Sequence, residues 1–297
     1  MNCTIPGNLG GRRCANDYLP EVTNILLVPR GTNEIEWATK SAMTSADVIA
    51  KINAANPINR LLPIKDIENY QPTEGDAKIQ TFDSQRKAFI KRGVITISGL
   101  ISTGDNITVE NFNDLNNLNM GCILMDSEKF QYETDSATKT KVRGMKIARG
   151  SFVAKLVPAT PTTVEAVQFS FDIDMAVDTK LFRIASFEEL GYSLADICEP
   201  LIPIDTISGT ATATGGTVTL MDERGLPIYG INDSVTTEIV VYNETTSSSV
   251  TVTGSTGSNG VYTLTWTTGV SVGNSVRYSV VATGFDGYNK TVTVTAS

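Results

Sequence analysis

Two aspartates spaced two positions apart come nearest to a chemical site in this chain. Asp172 and Asp174 lie in an alternating apolar and polar segment, 164–175, which predicts a β-strand with both carboxylates on its polar face. Paired carboxylates can transfer protons or bind calcium. Because no third ligand and no acid partner lies nearby in the sequence, we favour a solvated acidic face over either kind of site.

Two clusters of basic residues could bind phosphate groups or pair with acids. The first cluster comprises Arg86, Lys87, Lys91 and Arg92, and the second comprises Lys139, Lys141, Arg143, Lys146, Arg149 and Lys155. A surface for nucleic acid needs such charge, preferably with stacking aromatics, and only Phe89 interleaves the first cluster. We therefore favour ion pairs, between subunits or on an exposed face, over direct binding of nucleic acid.

Composition excludes several classes of chemistry. The 297 residues include no histidine, which excludes Ser-His-Asp and Cys-His catalysis and histidine-ligated zinc. Acidic residues outnumber basic ones by 32 to 24, and the net charge of −8 argues against affinity for DNA phosphates. We expect no catalysis, no cofactor and no metal site.

The four cysteines form no C-x-x-C pair, so their spacing suits a Cys₄ zinc site poorly. They are Cys3, Cys14, Cys122 and Cys198. Cys3 and Cys14 could form a disulfide in an oxidising compartment. Because we find no secretion signal and no apolar run of membrane-spanning length, we expect reduced thiols in a chain made in a cytoplasm.

Long paired strands and a few helices must position the aspartates. The strands are predicted at 77–82 with 86–101 and at 122–132 with 141–157, the second pair having its hairpin tip at 134–138. Helix signals are a capping box at Thr44 before about 11 residues that end at Pro57, an apolar stripe over 110–119, and a capping box at Ser186. These features predict an α+β part whose antiparallel sheet has one wet face and is closed by a helix.

The composition changes near Asp205, after a segment with Pro200 and Pro203 that is typical of a linker. Residues 206–297 contain 32 Ser and Thr but only three basic residues. About seven short alternating strands predict an immunoglobulin-type β-sandwich. We count them near 217–221, 227–230, 236–243, 248–253, 260–267, 275–283 and 290–296. The expected division is therefore an N-terminal arm and helix (1–70), a β domain (71–204) and an Ig-like domain (205–297).

Aromatic residues of the last domain could form a platform for sugars. They are Tyr242, Tyr262, Trp266, Tyr278 and Tyr288. Most alternate with aliphatic residues, which favours packing in a core over contact with a ligand. Tyr288, in a Gly-rich turn, is the best candidate for contact with a glycan.

Two stretches resemble known families. Asp222, Gly225 and Pro227 look like the D-x-x-G-x-P hairpin of bacterial and phage Ig-like domains. The long strand from Val142, the Pro/Thr loop 157–163 and the sharply alternating strand that ends at Asp174 resemble the tail tube proteins of long-tailed bacteriophages. That resemblance covers roughly residues 75–185, and some tail tube subunits carry a C-terminal Ig-like domain.

The resemblance implies a mainly β fold: a tail-tube-like sandwich or barrel with flanking helices, followed by an Ig-like β-sandwich. It implies hexameric rings that stack into a tube, contact other tail proteins and conduct DNA without binding it specifically. Asp172 and Asp174 would face the lumen, while Arg86, Lys87, Lys91, Arg92, Lys141, Arg143 and Lys146 would carry charge between subunits. The protein would be found in the virion. The alternative is a capsid decoration or head-fibre protein whose Ig-like domain adheres to host or mucosal glycans.

Overall fold

A computed structural model describes residues 19–297 except 55, 77, 82–86, 92, 103–105, 161–164, 175, 177–180, 232–237 and 288–289. The fold is mainly β, as predicted. The chain divides into two compact units. Unit one contains the described residues up to Ile52 and Leu61–Glu199, and unit two contains Asn53–Arg60 and Pro200–Ser297.

Unit one contains three α-helices and fourteen strands in the described part of the chain. The helices are α1 (Ser45–Ile52), α2 (Asn106–Asp114) and α3 (Leu194–Ile197). The strands are β1 (Asn24–Pro29), β2 (Glu36–Trp37), β3 (Leu62–Ile64), β4 (Ile67–Glu74), β5 (Lys78–Thr81), β6 (Lys87–Lys91), β7 (Ile95–Ile101), β8 (Met120–Met125), β9 (Lys129–Glu133), β10 (Val142–Arg143), β11 (Met145–Lys146), β12 (Val153–Val157), β13 (Ala166–Ile173) and β14 (Phe182–Ser186).

Eight of these strands form one sheet, which we call the core sheet. Its order is β2-β10-β9-β8-β1-β3, with β11 on β8 and β14 on β9. Every residue of β1 and β8 is buried, so both faces of the sheet are covered at its centre. This placement corrects the expected N-terminal arm. Strands from both sides of residue 70 belong to this one sheet, because the apolar run of β1 needs cover on both faces.

Four strands form a second sheet, which we call the open sheet, in the order β12-β13-β7-β4. All three pairings are antiparallel. One face packs against the core sheet, and the shared core includes Ile25, Leu124, Ile97, Phe171 and, from α2, Phe112. Phe112 stacks on Phe169 with 5.5 Å between ring centroids. Gly99 faces Phe169, and a Cβ there would lie 3.1 Å from the ring, so glycine makes room for the aromatic side chain.

The predicted strand pairs are only partly correct. Strand β5 pairs with β6 as expected, but residues 86–101 contain two strands, and the second of them, β7, pairs with β4 in another sheet, which was not predicted. Residues 122–132 are two strands, because the Asp126 carboxylate accepts hydrogen bonds from the Glu128 and Lys129 amides and forms a turn. Residues 141–157 are three strands, of which β12 belongs to the other sheet.

The sequence predicted the capping residues Thr44 and Ser186 correctly, but it did not predict the lengths of the helices. Thr44 Oγ1 accepts a hydrogen bond from the Asp47 amide at 3.2 Å, which confirms the predicted cap of α1. The second helix begins at Asn106, before the predicted start. Ser186 caps a 3₁₀ turn, Phe187–Glu189, and Ser193 caps the short α3.

Unit two contains ten further strands in its described residues. They are β15 (Ile202–Pro203), β16 (Thr206–Ala211), β17 (Gly215–Met221), β18 (Ile239–Asn243), β19 (Ser248–Val250), β20 (Val252–Ser258), β21 (Val261–Trp266), β22 (Ser275–Val280), β23 (Phe285–Asp286) and β24 (Thr291–Thr295). Two four-stranded antiparallel sheets, β16-β17-β21-β20 and β19-β18-β22-β24, share one core. The sequence prediction missed β16, whose Thr, Ser and Gly content gives a weak strand signal.

Candidate assembly surface

Strand β13 has the alternation that the sequence predicted. Phe169, Phe171 and Ile173 are buried, while Gln168 is exposed and Asp172 is half-buried on the other face. The apolar side chains determine which face of the strand turns inward, because a register shift of one residue would expose the apolar side chains and bury the polar ones. The polar residues therefore point away from the core.

Register places the outward residues of the open sheet in rows that cross its strands. One row contains Asp172, Thr96 and Thr73, and the next contains Val153, Ser170, Ser98 and Gln71. A third row contains Lys155, Gln168, Leu100 and Glu68. The outward face is thus rich in hydroxyl and amide groups, and its charged residues in these rows are Asp172, Lys155 and Glu68.

The two aspartates have separate local partners. Asp172 accepts a hydrogen bond from Thr96 Oγ1 at 2.6 Å. Asp174 pairs with Lys146, with 2.7 Å between Nζ and Oδ2. The hydrogen bond from Lys146 and a second from the Ala176 amide lower the pKa of Asp174 below its ordinary value. Within the described residues, no group of three or more Cys, Asp or Glu side chains could hold a metal ion.

Three of the predicted intersubunit charges have partners within the chain. Lys141 pairs with Glu36, Arg143 with Glu133, and Lys146 with Asp174. These contacts give three of the six members of the second cluster ion-pair partners within the chain, without a second subunit. Arg86 and Arg92 lie outside the described residues, and Lys87 and Lys91 are described only as backbone positions of β6.

A buried ionic network, which the sequence analysis missed, lies in the core sheet. The Glu133 side chain is only 2% exposed and contacts Arg30 at 3.3 Å and Arg143 at 2.6 Å. Its second oxygen accepts a hydrogen bond from the Lys146 amide at 3.2 Å. Arg30 also contacts Glu34 at 2.8 Å. No local motif signals this network, because its members are joined by strand pairing and not by spacing.

Both described cysteines are buried thiols. Burial raises the pKa of Cys122, and it raises the pKa of Cys198 to about 12. Neither thiol is therefore a ready nucleophile near neutral pH. Cys3 and Cys14 lie outside the described residues.

The aromatic residues of unit two are mostly structural. Trp266, Tyr262 and Tyr278 are each at most 2% exposed, which confirms the prediction of core packing. Tyr288, the candidate for glycan contact, lies outside the described residues. The structure instead exposes Tyr229, by 60%, in a loop that sequence reasoning did not single out.

The loop that carries Tyr229 is held at both ends. Asp222 Oδ1 accepts hydrogen bonds from the Arg224 and Leu226 amides at 2.9 and 2.8 Å. The Tyr262 hydroxyl donates to the Ile228 carbonyl at 2.8 Å. These bonds give the D-x-x-G-x-P segment a defined shape.

The edges of the open sheet complete the surface. In the part of the chain that the structure describes, β12 pairs with β13 alone and β4 pairs with β7 alone. Val153 is 58% exposed and Lys155 is exposed on β12. On β4, a bulge lies between Glu68 and Gln71, and Pro72 lacks an amide donor, a feature that edge strands tolerate.

No protein-family model matches the chain, and no curated protein matches it at a significant level. No helix within the described residues combines the length and the apolar character that a membrane crossing requires.

Proposed function

We propose that this chain is the tail tube subunit of a long-tailed bacteriophage, a virion structural protein that assembles into stacked rings around a DNA-conducting channel. The observation that carries the proposal is the open sheet. It combines one face in a core, one polar face, and two edge strands that each pair with only one strand in the described part of the chain. Exposed edges favour the addition of further strands.

Strand direction supports assembly into rings. The open sheet has four strands in strictly alternating direction, so its two edge strands, β12 and β4, run in opposite directions. A second copy in the same orientation therefore brings its β4 antiparallel to β12 of the first. Each copy is then related to the next by the same rotation. Such head-to-tail contacts form a closed ring when a whole number of these rotations completes one turn.

The polar face of the open sheet suits the wall of a channel. Binding of DNA depends mainly on Lys and Arg contacts to phosphates. In the three rows of this face, hydroxyl and amide groups predominate, Asp172 and Glu68 are acids, and Lys155 is the one basic residue. Asp174, which follows the strand, is paired with Lys146. DNA would move past such a wall without specific binding. Asp172 and Asp174 thus keep the role that the resemblance implies, with the charge of Asp174 offset by its lysine.

Unit two fits the role of an accessory Ig-like domain. Its two four-stranded antiparallel sheets around one core support this assignment, because an immunoglobulin-type sandwich packs two antiparallel sheets in this way. The proposal assigns no catalysis to either unit, in keeping with the absence of histidine from the sequence. Its partners are copies of the same chain and other proteins of the tail.

Electron microscopy of the purified full-length protein tests the proposal. The full chain is used because Asn53–Arg60 belongs to unit two, so a chain cut at residue 200 would divide that unit. We expect rings or tubes with a central channel as the protein concentration rises. Monomers alone at millimolar concentration would contradict the proposal. Ser249→Lys, at an exposed position of β19 in unit two, is the control variant and should assemble as the wild type does.

The alternative, a capsid decoration or head-fibre protein with a glycan-adhesive Ig-like domain, is favoured by one observation. Tyr229 and Leu226 are 60% and 56% exposed on the loop held by Asp222 and Tyr262. An exposed aromatic ring on an ordered loop can stack on a sugar at a low cost in conformational entropy. This version predicts glycan-array binding that Tyr229→Ala abolishes, and an array without signal would exclude it.

A further inference from the structure

One row of the open sheet has opposite charges at its two ends. In the strand register, Lys155 on β12 lies opposite Gln168 on β13. Gln168 lies opposite Leu100 on β7, and Leu100 lies opposite Glu68 on β4. The row therefore begins with an ammonium group at one edge of the sheet and ends with a carboxylate at the other edge. Both side chains are on the outward face, and both residues are exposed.

Lys155 and Glu68 differ in one respect from three basic residues of the second cluster. Lys141, Arg143 and Lys146 each have an acidic partner within the chain. Neither Lys155 nor Glu68 has an ion-pair partner among the described residues. The two charges are thus available to a partner that lies along an edge.

The possible joins between two open sheets differ in the charges that they bring together. A head-to-tail join without stagger places Lys155 of one copy opposite Glu68 of the next. A join of two β12 strands about a two-fold axis brings the two Lys155 side chains toward each other, and a join of two β4 strands does the same for Glu68. Opposite charges across a strand pair stabilise it, and like charges destabilise it.

We propose that Lys155 and Glu68 are the residues that select head-to-tail joining, with a second copy of this chain as the occupant of each edge. This inference rests on the proposed function, because it names the contact by which that ring forms. Charge complementarity identifies a second copy as the occupant. Lys155 on β12 requires an acidic partner, and Glu68 on β4 of another copy provides one. The pair also disfavours one change of register, because a slip of two residues toward the bulge would place Lys155 opposite Gln71.

Charge reversal tests the inference in the full-length protein. Lys155→Glu and Glu68→Lys alone should each raise the concentration needed for assembly by up to about fivefold, since one cross-strand ion pair is worth up to ~1 kcal/mol. The double variant should recover assembly, and an equimolar mixture of the two single variants should co-assemble. Lys129→Glu, at an exposed position of the core sheet, is the matched control and should behave as the wild type.

The outcomes separate this inference from the proposed function. If the wild type forms no rings, the proposed function fails and the inference fails with it. If the wild type forms rings and both single variants form them equally well, only the inference is overturned. Impaired single variants without recovery in the double variant would also overturn it, since the two side chains would then not face each other.

Folding of each variant is checked by circular dichroism and thermal unfolding, which should match the wild type because both positions are exposed. If a reversal unfolds the protein, Lys155→Gln and Glu68→Gln replace it, with a smaller expected loss of assembly. Salt near 1 M should reduce the difference between the wild type and a single variant, because exposed charges are screened. A difference that persists unchanged at that salt concentration would contradict an ionic contact.

Discussion

The core sheet and the open sheet of unit one differ in where their charged side chains lie. The core sheet buries Glu133 between two arginines, and its central strands are covered on both faces. The open sheet keeps its charged groups on a solvated face and leaves Lys155 and Glu68 at its edges. Buried charges are costly to disturb, whereas exposed ones contribute little to stability and remain available to a partner. The comparison therefore separates a sheet that holds the fold from a sheet that can join copies.

The largest expected effect is at Glu133. Glu133→Ala leaves Arg30 and Arg143 without their shared carboxylate in a buried site, and we expect a loss of about 3–5 kcal/mol in the free energy of unfolding. Urea denaturation followed by circular dichroism measures it. A loss below about 1 kcal/mol would show that solvent reaches the network, and the contrast between the sheets would then fail.

A carboxylate of the open sheet should matter less. Asp172→Ala removes the hydrogen bond from Thr96 at a half-buried position, and we expect a loss of about 1 kcal/mol or less by the same measurement. A loss as large as that of Glu133→Ala would contradict the comparison, since it would make Asp172 part of the stabilising core. Gln168→Ala, which is exposed on the same strand, is the control and should change stability by less than about 0.5 kcal/mol.

The smallest effect is the pH dependence of the Lys146–Asp174 pair. The hydrogen bond from Lys146 lowers the pKa of Asp174 in the folded state, so the ionised carboxylate adds stability above its ordinary pKa. That stability is lost as the pH falls through the lowered value. Lys146→Met should cost about 0.5 kcal/mol at pH 7, because the pair is partly exposed, and almost nothing near pH 2. Urea titrations at both pH values check this, and an equal cost at both would exclude an ionic origin.

Some elements could be predicted from local sequence because they depend on local physics. The alternation of β13 predicts which of its side chains are buried, and Thr44 predicts the start of α1. The turn at Asp126, which divides a predicted long strand into β8 and β9, carries no glycine or proline to signal it. Strand β16 was missed for the related reason that its residues have a weak strand preference.

The candidate surface depended on contacts that no local pattern contains. Lys155 and Glu68 are 87 positions apart, and they occupy one row only because β13 and β7 lie between their strands. Glu133 likewise meets Arg30 through pairing of distant strands. The sequence analysis found the basic cluster that includes Lys155 but could not tell which of its members would be paired within the chain.

Hydrogen exchange during assembly tests the central claim, that the open sheet joins the copies, most directly. We expect the amides of Val153–Val157 and Ile67–Glu74 to gain protection when the protein passes from dilute to assembling concentration. The amides of Ser248–Val250, at an edge of unit two, should exchange as before. Assembly without added protection of β12 and β4, or with protection confined to unit two, would contradict the account.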